Sequence, residues 1–228
     1  MHRAFDTRER RTTRPVADPA TRDCPVCGRT VHGPFPVCFC CRLTSRQLAL
    51  PLVPVVVTAE YRVGDGRHHL LRGYKDGATP EARSRCRTTL VSELAAWTSV
   101  HGPDVLRRTG PWSVVTTVPS TRRSGPGPAE ALVDGVPALA DRHLPLLGRG
   151  SGPLDHLVAS RDGFAPLPGV DRAGLGGLPV LVFDDSFTTG ARAQSAAAAL
   201  RLAGARVVGI LAVGRALAPV PPGTSSRR

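Results

Sequence analysis

Residues 180–192 read V-L-V-F-D-D-S-F-T-T-G-A-R. A short apolar run rich in valine predicts a buried strand over 180–183. It gives way to two adjacent carboxylates, Asp184 and Asp185, then turns through T-T-G into an alanine-rich helix. Neighbouring Asp side chains repel, so a chain that sets two of them at a strand end gains something there, and a ligand is the simplest gain. The helix is expected over 191–203 with Gly204 as its C-terminal cap, and another strand over 205–213. In an open parallel sheet, ligands lie beyond the carboxyl ends of the strands, where these acids emerge. The next loop leads into a helix N-terminus, whose N–H groups and positive dipole end suit a phosphate. Two carboxylates accept hydrogen bonds from a vicinal diol while Thr188, Thr189 and Gly190 wrap a phosphate one sugar length away. Together these features fit a ribose 5-phosphate.

Upstream, the same alternation continues. Residues 52–58 read as a buried strand, and R-V-G-D-G-R-H-H-L-L-R-G-Y-K-D-G at 62–77 as a turn and short helix with Lys75 near its end. Thr79-Pro80-Glu81 is a helix start, with a hydroxyl cap, proline in the first turn and an acid at the positive dipole end. Leu90, Leu94 and Trp97 share one face of that helix, and His101-Gly102-Pro103 is expected to stop it. A strand follows over 113–118, then a helical pattern over 129–143 that Pro137 kinks or splits. Residues 148–177, rich in Gly, Pro, Asp and Arg, read as loop. Strands alternating with helices imply right-handed crossovers and a parallel sheet, an α/β fold. There is no internal repeat.

The chain has 228 residues and a formal net charge of +12, with a pI near 10.9. That length holds one ordinary domain and a small appendage, and the charge points to an anionic partner. Nearly all the basicity is arginine: Lys75 is the only lysine. The longest apolar run, at 48–59, contains Pro51 and Pro54 and is too short to span a bilayer. The Arg-rich N-terminus has no apolar core of a signal peptide. The expectation is a cytoplasmic protein without membrane insertion. Residues 1–23 and 219–228 are expected to be disordered.

Five of the six cysteines crowd into C-P-V-C-G-R-T-V-H-G-P-F-P-V-C-F-C-C at 24–41. Two C-x2-C pairs, Cys24 with Cys27 and Cys38 with Cys41, let four thiolates converge on one ion, and a tetrahedron of sulfurs suits structural Zn2+. Disulfides are the alternative, disfavoured in a reducing compartment. Cys40 is surplus and could replace Cys38 or Cys41, and His32 could replace a thiolate. Cys86 reads as a core residue. The chain thus divides into a zinc-knuckle module at 24–47 and an α/β domain at 48–218.

The stretch at 180–192 resembles the signature of the type I phosphoribosyltransferases, an apolar strand followed by D-D-x-x-T-T-G, whose ligand is 5-phosphoribosyl 1-pyrophosphate with magnesium. With the cysteine knuckle in front, residues 24–215 resemble the ComF family, phosphoribosyltransferase-like proteins tied to competence for DNA uptake. The shared elements are the knuckle, Y-K-D-G at 74–77, V-P-S-T-R-R at 118–123 and D-D-S-F-T-T-G at 184–190.

The resemblance implies a type I phosphoribosyltransferase-like sheet with Asp184 and Asp185 as catalytic residues. Ser186, Phe187, Thr188, Thr189, Gly190, Ala191 and Arg192 would form the 5-phosphate loop. Pro119, Ser120, Thr121, Arg122 and Arg123 would receive pyrophosphate, with Lys75 reaching the same phosphates. Mg2+ would be held largely by ligand oxygens and water. The chain departs from the family in carrying S-G-P-G-P where R-G-F-N is common. It also has Ser186 after the acid pair and Arg192 in place of the last loop hydroxyl, where it either pairs with the 5-phosphate or lies solvated on the helix. Residues 61–77 and 148–177 are the segments from which a hood over the acceptor could be built. His68, His69, His101, His143 and His156 are scattered and read as surface or packing residues.

Two functions follow from these readings. In one, phosphoribosyl moves from its pyrophosphate to a nucleophile. In the other, the same pocket senses its ligand while the knuckle and basic surface contact single-stranded DNA or a protein of the DNA-uptake machinery. The aromatic residues Phe35, Phe39 and Tyr61 form no evident stacking platform.

Overall fold

The computed structural model describes residues 22–120 and 127–217, with Arg172 described by its backbone alone. β1 (Arg22–Asp23) and β2 (Thr30–Val31) pair antiparallel. The stretch expected to be disordered over 1–23 is therefore ordered at its last two residues, while 1–21 and 219–228 lie outside the described residues. α1 (Phe39–Leu48) starts from Cys38 and ends at Ala49, whose φ of 46° is left-handed. β3 (Val55–Val57) and β4 (Glu60–Tyr61) lead into α2 (Gly66–Asp76), where the Asp65 carboxylate accepts from the His68 N–H at 2.8 Å.

α3 (Pro80–Thr109) opens as the sequence predicts, with Thr79 Oγ1 accepting from the Ala82 N–H at 3.1 Å. It does not stop at Pro103. An interior proline costs about 3 kcal/mol, and tertiary contacts beyond it favour continuation. Val105 and Thr109 are buried, and the Thr109 side chain fills the space beside Gly209. Arg108 Nε donates to the Val55 carbonyl at 3.2 Å.

β5 (Val114–Thr117) follows, then α4 (Pro128–Val133) and α5 (Pro137–Ala140), the split expected at Pro137. Within the stretch read as loop, β6 (Leu147–Arg149) and β7 (Phe164–Pro166) form an antiparallel pair, followed by α6 (Arg172–Leu175).

β8 (Pro179–Phe187), α7 (Ala191–Leu202) and β9 (Arg206–Ala216) complete the fold. β8 runs four residues past the predicted strand because β9 continues beside it, with Asp184 opposite Ala212 and Phe187 opposite Arg215. The acid pair thus lies inside the ladder. Gly204, at φ +106°, follows the capping residue Ala203, and its N–H reaches the Arg201 carbonyl at 3.1 Å.

The central sheet has the order β3-β9-β8-β5, parallel throughout, with β4 also along β9. Alternation splits its side chains between two layers. Val180 and Val182 pack with the alanines of α7, while Leu181 and Phe183 pack with Leu90, Leu94 and Leu132 of α3 and α4. The alanines let α7 lie close to the sheet, and its buried Gln194 is satisfied by both backbone groups of Val53, at 3.1 and 2.8 Å. The fold is therefore a parallel sheet flanked by helices, preceded by a four-cysteine module. No helix among the described residues is long and apolar enough to cross a membrane.

Candidate functional site

Where β8 runs out, a cavity of about 550 Å3 opens. One wall is the stretch from Asp184 to Ala193. A second is built by Val118, Ser120 and residues 127–129 at the start of α4, and a third by Lys75, Asp76, Leu154, Asp155 and His156. The predicted acid pair and phosphate loop therefore meet in one space. Pro119 and Ser120 stand beside it, while Thr121, Arg122 and Arg123 lie outside the described residues.

Asp184 and Asp185 are both buried, each 7% exposed. The Tyr74 hydroxyl donates to Asp185 Oδ2. Lys75 Nζ donates to Asp185 Oδ1 at 2.6 Å and to Ser186 Oγ at 3.2 Å. The lone lysine of the chain is thus brought to the acid pair. Burial pushes the Asp185 carboxyl up to about 7, against the pull of the Arg192 charge. It raises Asp184 as well, again opposed by Arg192 and then by Lys75. Burial also drives the Lys75 ammonium down to about 8. Near neutral pH both partners lie close to their titration points, so a ligand that makes new hydrogen bonds to the acids has leverage over their charge.

Arg192 is half-buried, and its Nη2 donates to the Pro119 carbonyl at 3.1 Å. It ties the first turn of α7 to the loop expected to take pyrophosphate and lends positive charge to the acid pair. It is not the solvated helix residue that was one of its two expected roles.

In the loop expected to hold phosphate, Gly190 has φ +87°, and a Cβ there would lie 2.6 Å from Cζ of the buried Phe187 ring. Only glycine suits both the conformation and the space. The turn delivers the chain into α7, whose first-turn N–H groups lack intrahelical partners and whose residues Ala191, Arg192 and Ala193 line the cavity. Thr189 Oγ1 donates to the His156 carbonyl. The Thr188 carbonyl accepts from Arg29 Nη2 at 2.6 Å.

At the other functional cluster, Cys24, Cys27, Cys38 and Cys41 are buried with their sulfurs within 4.8 Å of one another. Cys27 and Cys38 sulfurs are 3.6 Å apart, too far for a disulfide at about 2.05 Å. A zinc ion with bonds of about 2.3 Å sets its sulfurs roughly 3.8 Å apart, so the four fit such an ion. The spacing holds because Gly28, at φ +73°, turns the first pair, while the second straddles the start of α1, where the dipole favours thiolates. Hydrogen bonds from Cys27 and then Cys41 draw the Cys38 thiol strongly down, the bond with Cys38 pushes Cys27 up, and bonds with Cys27 and then Cys38 push Cys41 up. Cys40 is half-exposed and His32 exposed, and neither joins the four.

Contributors from three places in the chain escaped the sequence reading. Tyr74 stood inside Y-K-D-G, but nothing local aims its hydroxyl at Asp185. Leu154, Asp155 and His156 lie in the stretch named as a possible hood, without a motif. Arg29 sits inside the cysteine knuckle, 159 residues from its partner Thr188.

No protein-family model matches the chain, and no curated protein matches it significantly.

Proposed function

We propose that the protein binds 5-phosphoribosyl 1-pyrophosphate and transfers its phosphoribosyl group to a nucleophile, as the resemblance to the ComF family implies. The observation that carries this reading is the convergence on one cavity of a buried acid pair and a glycine-bent phosphate loop at a helix N-terminus. Asp184 and Asp185 accept hydrogen bonds from the ribose hydroxyls. Thr188, Thr189, Gly190 and the first-turn N–H groups of α7 hold the 5-phosphate. Pro119, Ser120 and the residues after them receive the pyrophosphate.

In the reaction the bond from C1 to the pyrophosphate oxygen breaks with its electron pair leaving on pyrophosphate, and the acceptor nucleophile forms a new bond to C1. Positive charge grows at C1 as the old bond lengthens, and the carboxylates beside it offset that charge. Magnesium, when bound with the substrate, neutralises the departing pyrophosphate. Because Lys75 already lies on Asp185, the acids suit sugar hydroxyls better than direct metal coordination, which leaves the ion to ligand oxygens and water. Zinc at the four cysteines has a structural role, since a site saturated by thiolates offers no open position.

Release of pyrophosphate from labelled substrate, with and without single-stranded DNA, tests the reading, and mass spectrometry of phosphoribosylated products identifies the acceptor. Binding without any release favours the second reading, a ligand sensor. The sequence offered no evident stacking platform, but Phe39 and Phe35 are 61% and 43% exposed on the knuckle while Tyr61 is buried, and Arg42 stacks 3.7 Å over Phe35, a basic aromatic face of the kind single-stranded nucleic acid uses. Such binding weakens steeply with salt and shows little sequence preference.

A further inference from the structure

We propose that Arg29 is a positioning residue through which the four-cysteine module sets the phosphate loop, so that metal occupancy of the cysteines and 5-phosphate affinity rise and fall together. The inference rests on the reading of the cavity as a ribose 5-phosphate site. Arg29 follows Cys27 by two residues, and its backbone is pinned by the knuckle. The Cys24 N–H donates to the Arg29 carbonyl at 2.7 Å, and the Gly28 N–H to the Cys24 carbonyl at 2.8 Å.

From that anchor the side chain leaves the module. Its Nη2 donates to the Thr188 carbonyl at 2.6 Å and to the Ala216 carbonyl at 2.8 Å. One guanidinium therefore joins the phosphate loop to the end of β9. Its Nε is buried without a hydrogen-bond partner, so the terminal nitrogen carries the attachment. Arg215, also on β9, donates to the Cys27 carbonyl and pairs with Glu60, which closes a second link between strand and knuckle.

The module also grips the opposite wall. Gln47, on the helix that begins at the second cysteine pair, donates to the Leu157 carbonyl at 3.0 Å and accepts from the Ala159 N–H at 2.9 Å. The loop it holds is the one that Thr189 reaches at His156. Both sides of the phosphate end thus hang from the cysteine module.

The four sulfurs fit one metal ion, whose binding energy is folding energy for so short a segment. Loss of the ion frees the Cys24–Cys27 turn and with it the anchor of Arg29. Linkage is reciprocal, so a ligand that needs the loop in place must in turn tighten the metal.

The test uses the full chain loaded with zinc and carrying Arg29→Met, which keeps the apolar stem and removes the donors. Zinc stays at one per chain, amide exchange over residues 188–191 quickens, and ribose 5-phosphate binds roughly tenfold more weakly. Inorganic pyrophosphate, held by the other loop, binds as before, which a general loss of stability would not allow. In the wild type, saturating ribose 5-phosphate slows zinc release to a chelator several-fold, and the variant loses that protection. Arg29→Lys, which keeps the charge on a shorter reach, gives an intermediate loss should the Met variant fold poorly. Wild-type binding of ribose 5-phosphate with no change in either variant overturns the coupling alone. Absence of wild-type binding overturns the reading of the cavity and the coupling with it.

Discussion

Asp185→Asn removes one charge from the acid pair while keeping its shape. The amide oxygen can still accept from Tyr74, but Lys75 loses the carboxylate that its ammonium meets at 2.6 Å. Breaking a buried ion pair by removing one partner costs about 3 to 5 kcal/mol. Two features lower that figure here. The Lys75 side chain is a quarter exposed and titrates near 8, so it can shed its proton cheaply, and the repulsion from Asp184 is relieved. At pH 7 the two effects nearly cancel the loss of the pair, so a change of no more than about 1 kcal/mol in unfolding free energy is expected, with zinc content unchanged. Binding suffers more, because the ribose loses a hydrogen bond to a charged acceptor, a change of about 1 to 3 kcal/mol, or roughly 5- to 150-fold in Kd. Calorimetric titration with the magnesium complex of 5-phosphoribosyl 1-pyrophosphate reads that loss directly. Unchanged affinity in a folded variant would refute the role given to the pair.

Cys24→Ser, by opening the four-sulfur site, should reduce zinc from about one per chain to none and leave the protein poorly soluble. Elemental analysis checks it, and iron in place of zinc would contradict it. For pH, the folded Asp185 carboxyl titrates near 7 against about 3.9 in the unfolded chain. Its contribution to stability is therefore present below about pH 4 and lost as pH climbs through 7. Lys75, lowered to about 8, contributes only as pH rises from there toward 10.5, so the pair should add least between about 7 and 8. Denaturant curves of wild type minus Asp185→Asn should fall along the acid limb, and parallel curves would count against the assignment. Gly190→Ala forces a side chain into a left-handed position and onto Phe187, which should cost about 2 to 4 kcal/mol and abolish binding of ribose 5-phosphate. Wild-type binding in that variant would show that the loop conformation is dispensable.

The unit from β8 to β9 was legible because its signals are local: an apolar run, a glycine-bent loop, an alanine helix and a glycine just past its end. So was the cap at Thr79, in sequence a hydroxyl before proline. The misjudgements came where distant packing outweighed local preference. Pro103 looked like a stop, but Val105, Arg108 and Thr109 have partners on the sheet and knuckle that hold the helix beyond it. β6 and β7 are three residues each, interrupted by Gly148 and ending at Pro166, so neither carries a readable period. β8 could not be seen to continue through its acids without knowing that β9 lies alongside. The acid pair, the glycine-bent loop after it and the four cysteines were readable as residue types at fixed spacing. The Tyr74, Lys75 and Arg29 contacts were not, because each joins positions more than a hundred residues apart.

The central claim is that the acids and the phosphate loop serve one ligand. Calorimetric titration of the wild-type protein with 5-phosphoribosyl 1-pyrophosphate, in magnesium and again with magnesium chelated, tests it most directly. One site per chain, occupied with magnesium and markedly weaker without it, is the predicted result. No magnesium-dependent binding at millimolar ligand would contradict the account.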